Sequence, residues 1–148
     1  MKQGLILFLN GTSSSGKTSI SMELKNQKEI PFHHFSIDDF FRNYFDFVNN
    51  KFPDIEPKQE VDNIGQIVFD PIVSVYYATI KLFSEMGLNT IVDTVIDNDK
   101  RFNDYLDVLF DYPTLFVGAI CSKEELTRRE QIRGDREIGF PVRQNIFI

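Results

Sequence analysis

Eight residues near the amino terminus, Gly11-Thr12-Ser13-Ser14-Ser15-Gly16-Lys17-Thr18, carry the spacing G-x-x-x-x-G-K-T. Each residue type there has a chemical reason. Gly11 and Gly16 allow backbone angles and close approaches that a side chain forbids. Successive N–H groups from Thr12, Ser13, Ser14 and Ser15 then turn inward and form an anion nest at a helix amino terminus. Lys17 adds a point charge for the outer phosphates of a nucleotide, and the Thr18 hydroxyl suits Mg²⁺. The alternative is a polar turn that matches by accident. Average residue usage produces that in on the order of one in a few hundred chains of this size.

Three further groups have types suited to the same chemistry. "FSIDDFF" places Asp38 and Asp39 at the expected end of a second strand. A carboxylate there can take the proton of a hydroxyl that attacks a γ-phosphate. It can equally cap the helix that follows. Asp93, in "TIVDTV", closes an expected third strand and is a candidate anchor for Mg²⁺ or its waters, or else a strand-end carboxylate facing solvent. In "CSKEELTRREQIRGDRE", Arg129 and Arg133 lie four apart and Arg136 follows just past Gly134. Guanidinium groups converging on a transferring phosphoryl group stabilise its developing charge. The plainer account is i,i+4 pairing of Glu124 with Arg128 and of Glu125 with Arg129. It leaves Arg133 and Arg136 without partners at that spacing.

These side chains need elements to hold them. "GLILFLN" has the continuous apolar character of a buried parallel strand, and "KTSISMELKN" follows with helical spacing. "FHHFSI" is a second strand, and an irregular stretch runs from Asp39 to about Gln66, crowded with Phe40, Phe41, Tyr44, Phe45, Phe47 and Phe52. Those aromatics are core material, or an apolar acceptor pocket. Asp70 caps a helix with Pro71 in its first position and Val73, Tyr76, Tyr77 and Ile80 on one face, ended by Gly87. "NTIVDTVI" is a third strand, "NDYLDVLF" a short helix and "TLFVGAI" a fourth strand. "SKEE" is a capping box that opens a charged helix. Strands alternating with helices mean right-handed crossovers and a parallel sheet covered on both faces.

The chain's 148 residues fit one domain, residues 1–148. Its formal charge of −6 argues against bulk attraction to nucleic acid or anionic membrane. Cys121 is the single cysteine and has no internal partner, which suits the cytoplasm. No run approaches the ~20 apolar residues of a membrane span, and "LILFL" is too short for an export signal. His33 and His34 are the only histidines and make a poor metal site by themselves.

The stretches "LNGTSSSGKTSI", "FSIDDFF", "NTIVDTVI" and "LFVGAICSKEELTRREQIRGDREIGFPVRQ" resemble the chloramphenicol phosphotransferase-like small-molecule kinases. They span residues 5–144 in the family's order. The resemblance implies a three-layer α/β/α phosphate-loop fold of the nucleoside-monophosphate-kinase type, with strands in the order 2-3-1-4-5. It implies transfer of the ATP γ-phosphate, with Mg²⁺, to an alcohol, in the namesake case a hydroxyl of chloramphenicol. Asp38 matches the family's proposed general base, Lys17 and Thr18 its phosphate and Mg²⁺ positions, and Arg133 and Arg136 its lid arginines. Two features depart from the pattern. The family's chain continues past the position of Gln144 through a helix, a fifth strand and a last helix. Without them the fourth strand would be an open edge, which favours self-association. Phe140-Pro141 also stand where the family prefers small residues. The expectation is an ATP-dependent kinase for a small-molecule hydroxyl; the alternative is a nucleotide-binding or interaction protein without transferase activity.

Overall fold

A computed structural model describes residues 2–51, 64–96 and 99–133. Four strands, β1 (Ile6–Gly11), β2 (His33–Ser36), β3 (Thr90–Thr94) and β4 (Thr114–Ala119), form one parallel sheet in the order β2-β3-β1-β4. The helices are α1 (Lys17–Asn26), α2 (Ile37–Lys51), α3 (Ile64–Glu85), α4 (Asp99–Leu109) and α5 (Lys123–Arg133). This α/β order matches the first four strands of the expected arrangement.

Alternation along β1 divides the core. Ile6 and Phe8 point to one face with Val92, Tyr76 and Ile80 of α3, and Tyr105 and Leu109 of α4. Leu7 and Leu9 point to the other with Ile91, Ala119 and Leu24 of α1. The sheet is therefore covered on both faces, α2, α3 and α4 against α1. All six residues of β1 are buried, as its unbroken apolar run requires. Phe8 is fully buried and meets the Tyr105 ring edge-on at 4.4 Å between centroids. Burial of one such side chain contributes about 1.5–3 kcal/mol. At the amino ends of the strands, Ser84 Oγ donates to the Gly4 carbonyl at 2.7 Å, and Asn89 Oδ1 accepts the Leu5 N–H at 2.8 Å.

Three sequence expectations change. The stretch expected to be irregular after Asp39 contains α2, whose fifteen residues run from Ile37 to Lys51. Ile37, Phe40, Phe41 and Tyr44 recur at helical spacing and seat it: Ile37 and Phe40 pack on the core, and Phe41 and Tyr44 are half-buried. Since β2 ends at Ser36, Asp38 and Asp39 stand in the first turn of α2 rather than at the end of a strand. Helix α3 starts at Ile64, so Pro71 lies inside it instead of at its first position, where it removes one backbone hydrogen bond. The apolar residues Ile67, Val68 and Phe69 extend the helical pattern upstream of Asp70. Gly87 does end that region, with φ +80°. Phe45, Phe47 and Val48 lie in α2 with backbone alone described, and Phe52 lies outside the described residues.

Candidate active site at the carboxyl ends of the strands

The phosphate-loop sequence connects the end of β1 to the start of α1, where its chemistry requires it. Gly11 closes β1 beside Ala119 of β4. A Cβ there would stand 2.7 Å from both the Ala119 carbonyl oxygen and Ser15 Oγ, so only glycine fits. Ser14 has φ +62°, the only positive φ outside glycine among the described residues. Gly16 has φ +104° and forms the amino-terminal cap of α1 with no side-chain acceptor. Helices α2, α4 and α5 each have acidic residues in their first turn, whereas α1 and α3 have none. The loop's amino-terminal helix end is thus left uncompensated, the state that suits a bound anion. Ser15 Oγ is buried without a hydrogen-bond partner. Lys17 Nζ donates to the carbonyls of Gly11 at 2.8 Å and Thr12 at 3.0 Å, which holds its ammonium over the loop. Thr18 is exposed one residue further on.

Helix α5 reaches the same loop. Ser122 Oγ accepts the Glu125 N–H at 3.2 Å, the expected cap. The Glu125 carboxylate accepts from Arg128 Nε and Nη2 and from Arg129 Nε, each at 2.7 Å. Arg128 therefore pairs three residues back with Glu125, not four back with Glu124, because the carboxylate fork of Glu125 offers it two parallel bonds. Arg128 first, then Arg129, lower the Glu125 carboxyl from an ordinary 4.5 to about 2. Arg129 Nη1 continues to the Ser14 carbonyl at 3.2 Å. Arg133 ends α5, with its side chain outside the described residues, and Arg136 lies outside them altogether.

Asp93 lies between Leu9 of β1 and Ser36 of β2 in the sheet register. It is two residues beyond Ile91 and so on the α1 face of the sheet, the helix that carries Thr18. His34 Nε2 lies 3.4 Å from Asp93 Oδ2, and both side chains are largely buried. Among the described residues no three His, Cys, Asp or Glu side chains gather to hold a metal ion. The hydroxyl of Thr18 and the carboxylate of Asp93 are hard oxygen donors, the type that suits Mg²⁺.

The start of α2 separates its two aspartates. Ser36 Oγ accepts the Asp39 N–H at 3.4 Å and so takes the capping role expected of an aspartate. Asp39 pairs with Arg42 at 3.3 Å on the exposed surface. Asp38 is exposed and makes no hydrogen bond or ion pair among the described residues. Burial above all, then Tyr105, Asp93, Tyr77 and Asp38, holds the Tyr76 phenol well above its ordinary value. That Tyr76 hydroxyl donates to the Phe35 carbonyl at 3.2 Å.

Sequence reasoning missed three supporting residues. Asn10 Oδ1 accepts the Ile96 N–H at 2.8 Å and ties the chain after β3 to the end of β1. The others are His34, which reaches Asp93, and Ser36, which caps α2. Only Ser36 had a local signal, as a serine three residues before an aspartate at a helix start.

The sequence matches the family described as chloramphenicol phosphotransferase-like protein over residues 4–146. Two Mycobacterium tuberculosis proteins named "Putative O-phosphotransferase" are 29% identical over 152 residues, covering 95% of this chain and 68% of theirs. Among solved structures, a chain of the Pnkp1/Rnl/Hen1 complex superposes with a TM-score of 0.64 at 18% identity, over 87% of this chain and 40% of that one. The APS kinase of Mycobacterium tuberculosis gives 0.53 at 14% identity, over 80% and 77%. These likenesses establish the phosphate-loop kinase fold. No helix among the described residues is long and apolar enough to cross a membrane.

Proposed function

The chain belongs to the chloramphenicol phosphotransferase-like family, and from that premise we propose that it is a kinase that transfers the γ-phosphate of ATP to a hydroxyl of a small molecule. The observation that carries the reading is the loop itself: a left-handed turn opening onto a helix with no acidic first turn and a lysine folded over it. The names of the Mycobacterium relatives, O-phosphotransferases, agree in reaction type.

Residues 11–18 cradle the phosphates, and Arg129 borders them. Asp38 takes the acceptor's hydroxyl proton as that oxygen bonds to the γ-phosphorus; the bond from phosphorus to the bridging oxygen breaks and ADP leaves. Lys17, with Arg133 and Arg136, balances the charge on the transferring group. Mg²⁺, when bound, neutralises phosphate oxygens, and Thr18 and Asp93 are the residues that would hold it or its waters. The half-buried Phe41 and Tyr44 of α2 favour a partly apolar acceptor, and chloramphenicol is the first to try. ATP as donor and a lone cysteine fit the reducing cytoplasm.

Calorimetric titration of Mg²⁺-ATP into the protein, with Lys17→Ala as control, tests the premise; micromolar binding that vanishes in the control is the expected result. Phosphoryl transfer from labelled ATP to a panel of alcohols then tests the reaction. Binding that survives in the control removes the phosphate loop from the site.

A second reading, association through a second copy without transfer, draws on β4. Its outer edge is unpaired among the described residues, it carries no charge or proline, and Leu115 and Phe116 are exposed on opposite faces. Sedimentation showing self-association at micromolar concentration, together with no transfer to any alcohol, favours that reading.

A further inference from the structure

We propose that Glu125 and Arg129 form a latch that pre-orders the phosphate loop, Glu125 acting as a positioning residue through Arg129. This rests on the reading of the loop as the nucleotide phosphate site. It departs from that reading in giving Arg129 the loop backbone as its target.

The geometry starts at Ser14, which holds a left-handed conformation that residues other than glycine adopt only when their surroundings impose it. The surroundings here are the Arg129 guanidinium. Its Nη1 donates to the Ser14 carbonyl, and a Cβ on Gly16 would stand 3.3 Å from the same nitrogen, so the guanidinium covers the back of the turn from Ser14 to Gly16. In a trans peptide the carbonyl and the next N–H point to opposite sides. Fixing the Ser14 carbonyl therefore also fixes the direction of the Ser15 N–H, which donates to the Thr12 carbonyl at 3.3 Å and closes the turn.

Arg129 is in turn held by Glu125. Its Nε lies 2.7 Å from Glu125 Oε1, the same oxygen that takes Arg128 Nη2, while Oε2 takes Arg128 Nε. The backbone of Glu125 is fixed by the Ser122 cap. An i,i+4 pair on an exposed helix face usually contributes little. Here the far end of the pair rests on a strained loop of another element, 115 residues away in sequence, so its effect falls on that loop. A loop ordered before the ligand arrives loses less freedom on binding.

The test compares Glu125→Ala, Arg129→Ala and Arg128→Ala in the nucleotide-free protein, by amide hydrogen exchange at residues 14–16, and then in Mg²⁺-ATP titrations. The first two should each speed exchange and weaken ATP by about tenfold, the size expected for one hydrogen bond to a charged group. The double variant should be no worse than either single one. Arg128→Ala removes the other half of the fork and should leave loop and affinity unchanged. Should Arg129→Ala fail to fold, Glu125→Gln carries the same comparison against Arg128→Ala. Unchanged loop exchange in the Glu125 and Arg129 variants overturns the latch, as does an Arg128→Ala effect as large as that of Glu125→Ala, which would make the carboxylate a prop for α5 alone. Failure of the underlying reading shows separately, as undiminished ATP binding in Lys17→Ala, while the exchange experiment still judges the latch.

Discussion

The loop after β1 and the helix start after β2 flank the same end of the sheet, yet they are built on opposite plans. The loop is made of backbone: two glycines, one strained serine and a lysine bound to the loop's own carbonyls, most of it buried. The start of α2 is made of side chains: Ser36 caps, Asp39 holds Arg42, and Asp38 is left exposed and uncommitted. A backbone device constrains residue type wherever a φ angle or a contact distance demands glycine, as at Gly11 and Gly16. A side-chain device needs only one group of the right chemistry, carried on an element whose other positions are free to vary. Under the proposed function, the loop would meet the same triphosphate every time, while the α2 side would have to suit one alcohol among many.

Changes on either side should separate the two plans. Asp38→Asn should lower phosphoryl transfer by roughly 10²- to 10⁴-fold, the span of a lost general base, with ATP affinity unchanged by calorimetry. Transfer at the wild-type rate would assign the proton to another group. Gly11→Ala acts on the backbone plan, because its methyl would meet a carbonyl oxygen at 2.7 Å. A cost of about 1–3 kcal/mol should appear as a lower melting temperature, at about 2–4 °C per kcal/mol. Ser36→Ala should remove about 1 kcal/mol from the start of α2 and leave nucleotide affinity alone, as denaturant titration and calorimetry would show. A fall in ATP affinity in that variant would mean the two sides are mechanically joined.

The smallest effect concerns pH. Glu125 has its carboxyl lowered from 4.5 to about 2, first by Arg128 and then by Arg129. A lowered carboxylate contributes stability that is fully present above its unfolded value and lost as pH falls through its folded one. The difference in melting temperature between the protein and Glu125→Gln should therefore be steady above about pH 4.5 and shrink toward pH 2. The pair is exposed, so the difference is small, and salt should reduce it further.

How much of this was legible follows the same division. The loop, the two-faced sheet and the Ser122 cap could be read from sequence because each depends on neighbours a few residues apart. Helix α2 was missed because its aromatics were interrupted by polar residues. The apolar spacing of Ile37, Phe40, Phe41 and Tyr44 was present but counted for less than the crowd of asparagine and proline nearby. The starting point of α3 was misplaced because Asp70-Pro71 makes a good helix start wherever it occurs, and only the longer apolar pattern overrules it. His34 on Asp93 and Arg129 on Ser14 depend on which strands and helices become neighbours across 59 and 115 residues. No local pattern encodes such a meeting. The Glu125–Arg129 spacing was read correctly, while its contact with the loop lay beyond what helical spacing can tell.

Asn10 and Gly11 form an Asn-Gly pair, the sequence at which an unfolded chain ages fastest, since the glycine nitrogen can close on the asparagine side chain and release ammonia. In the folded chain both residues are buried in β1, and the Asn10 side-chain oxygen, Oδ1, accepts the Ile96 N–H. The strand thus keeps the nitrogen and the carbonyl carbon from meeting. Each excursion to the unfolded state exposes the pair, and an isoaspartate formed there would place one extra backbone carbon at the entrance to the phosphate loop. The shelf life of the site is in this sense set by how seldom β1 opens.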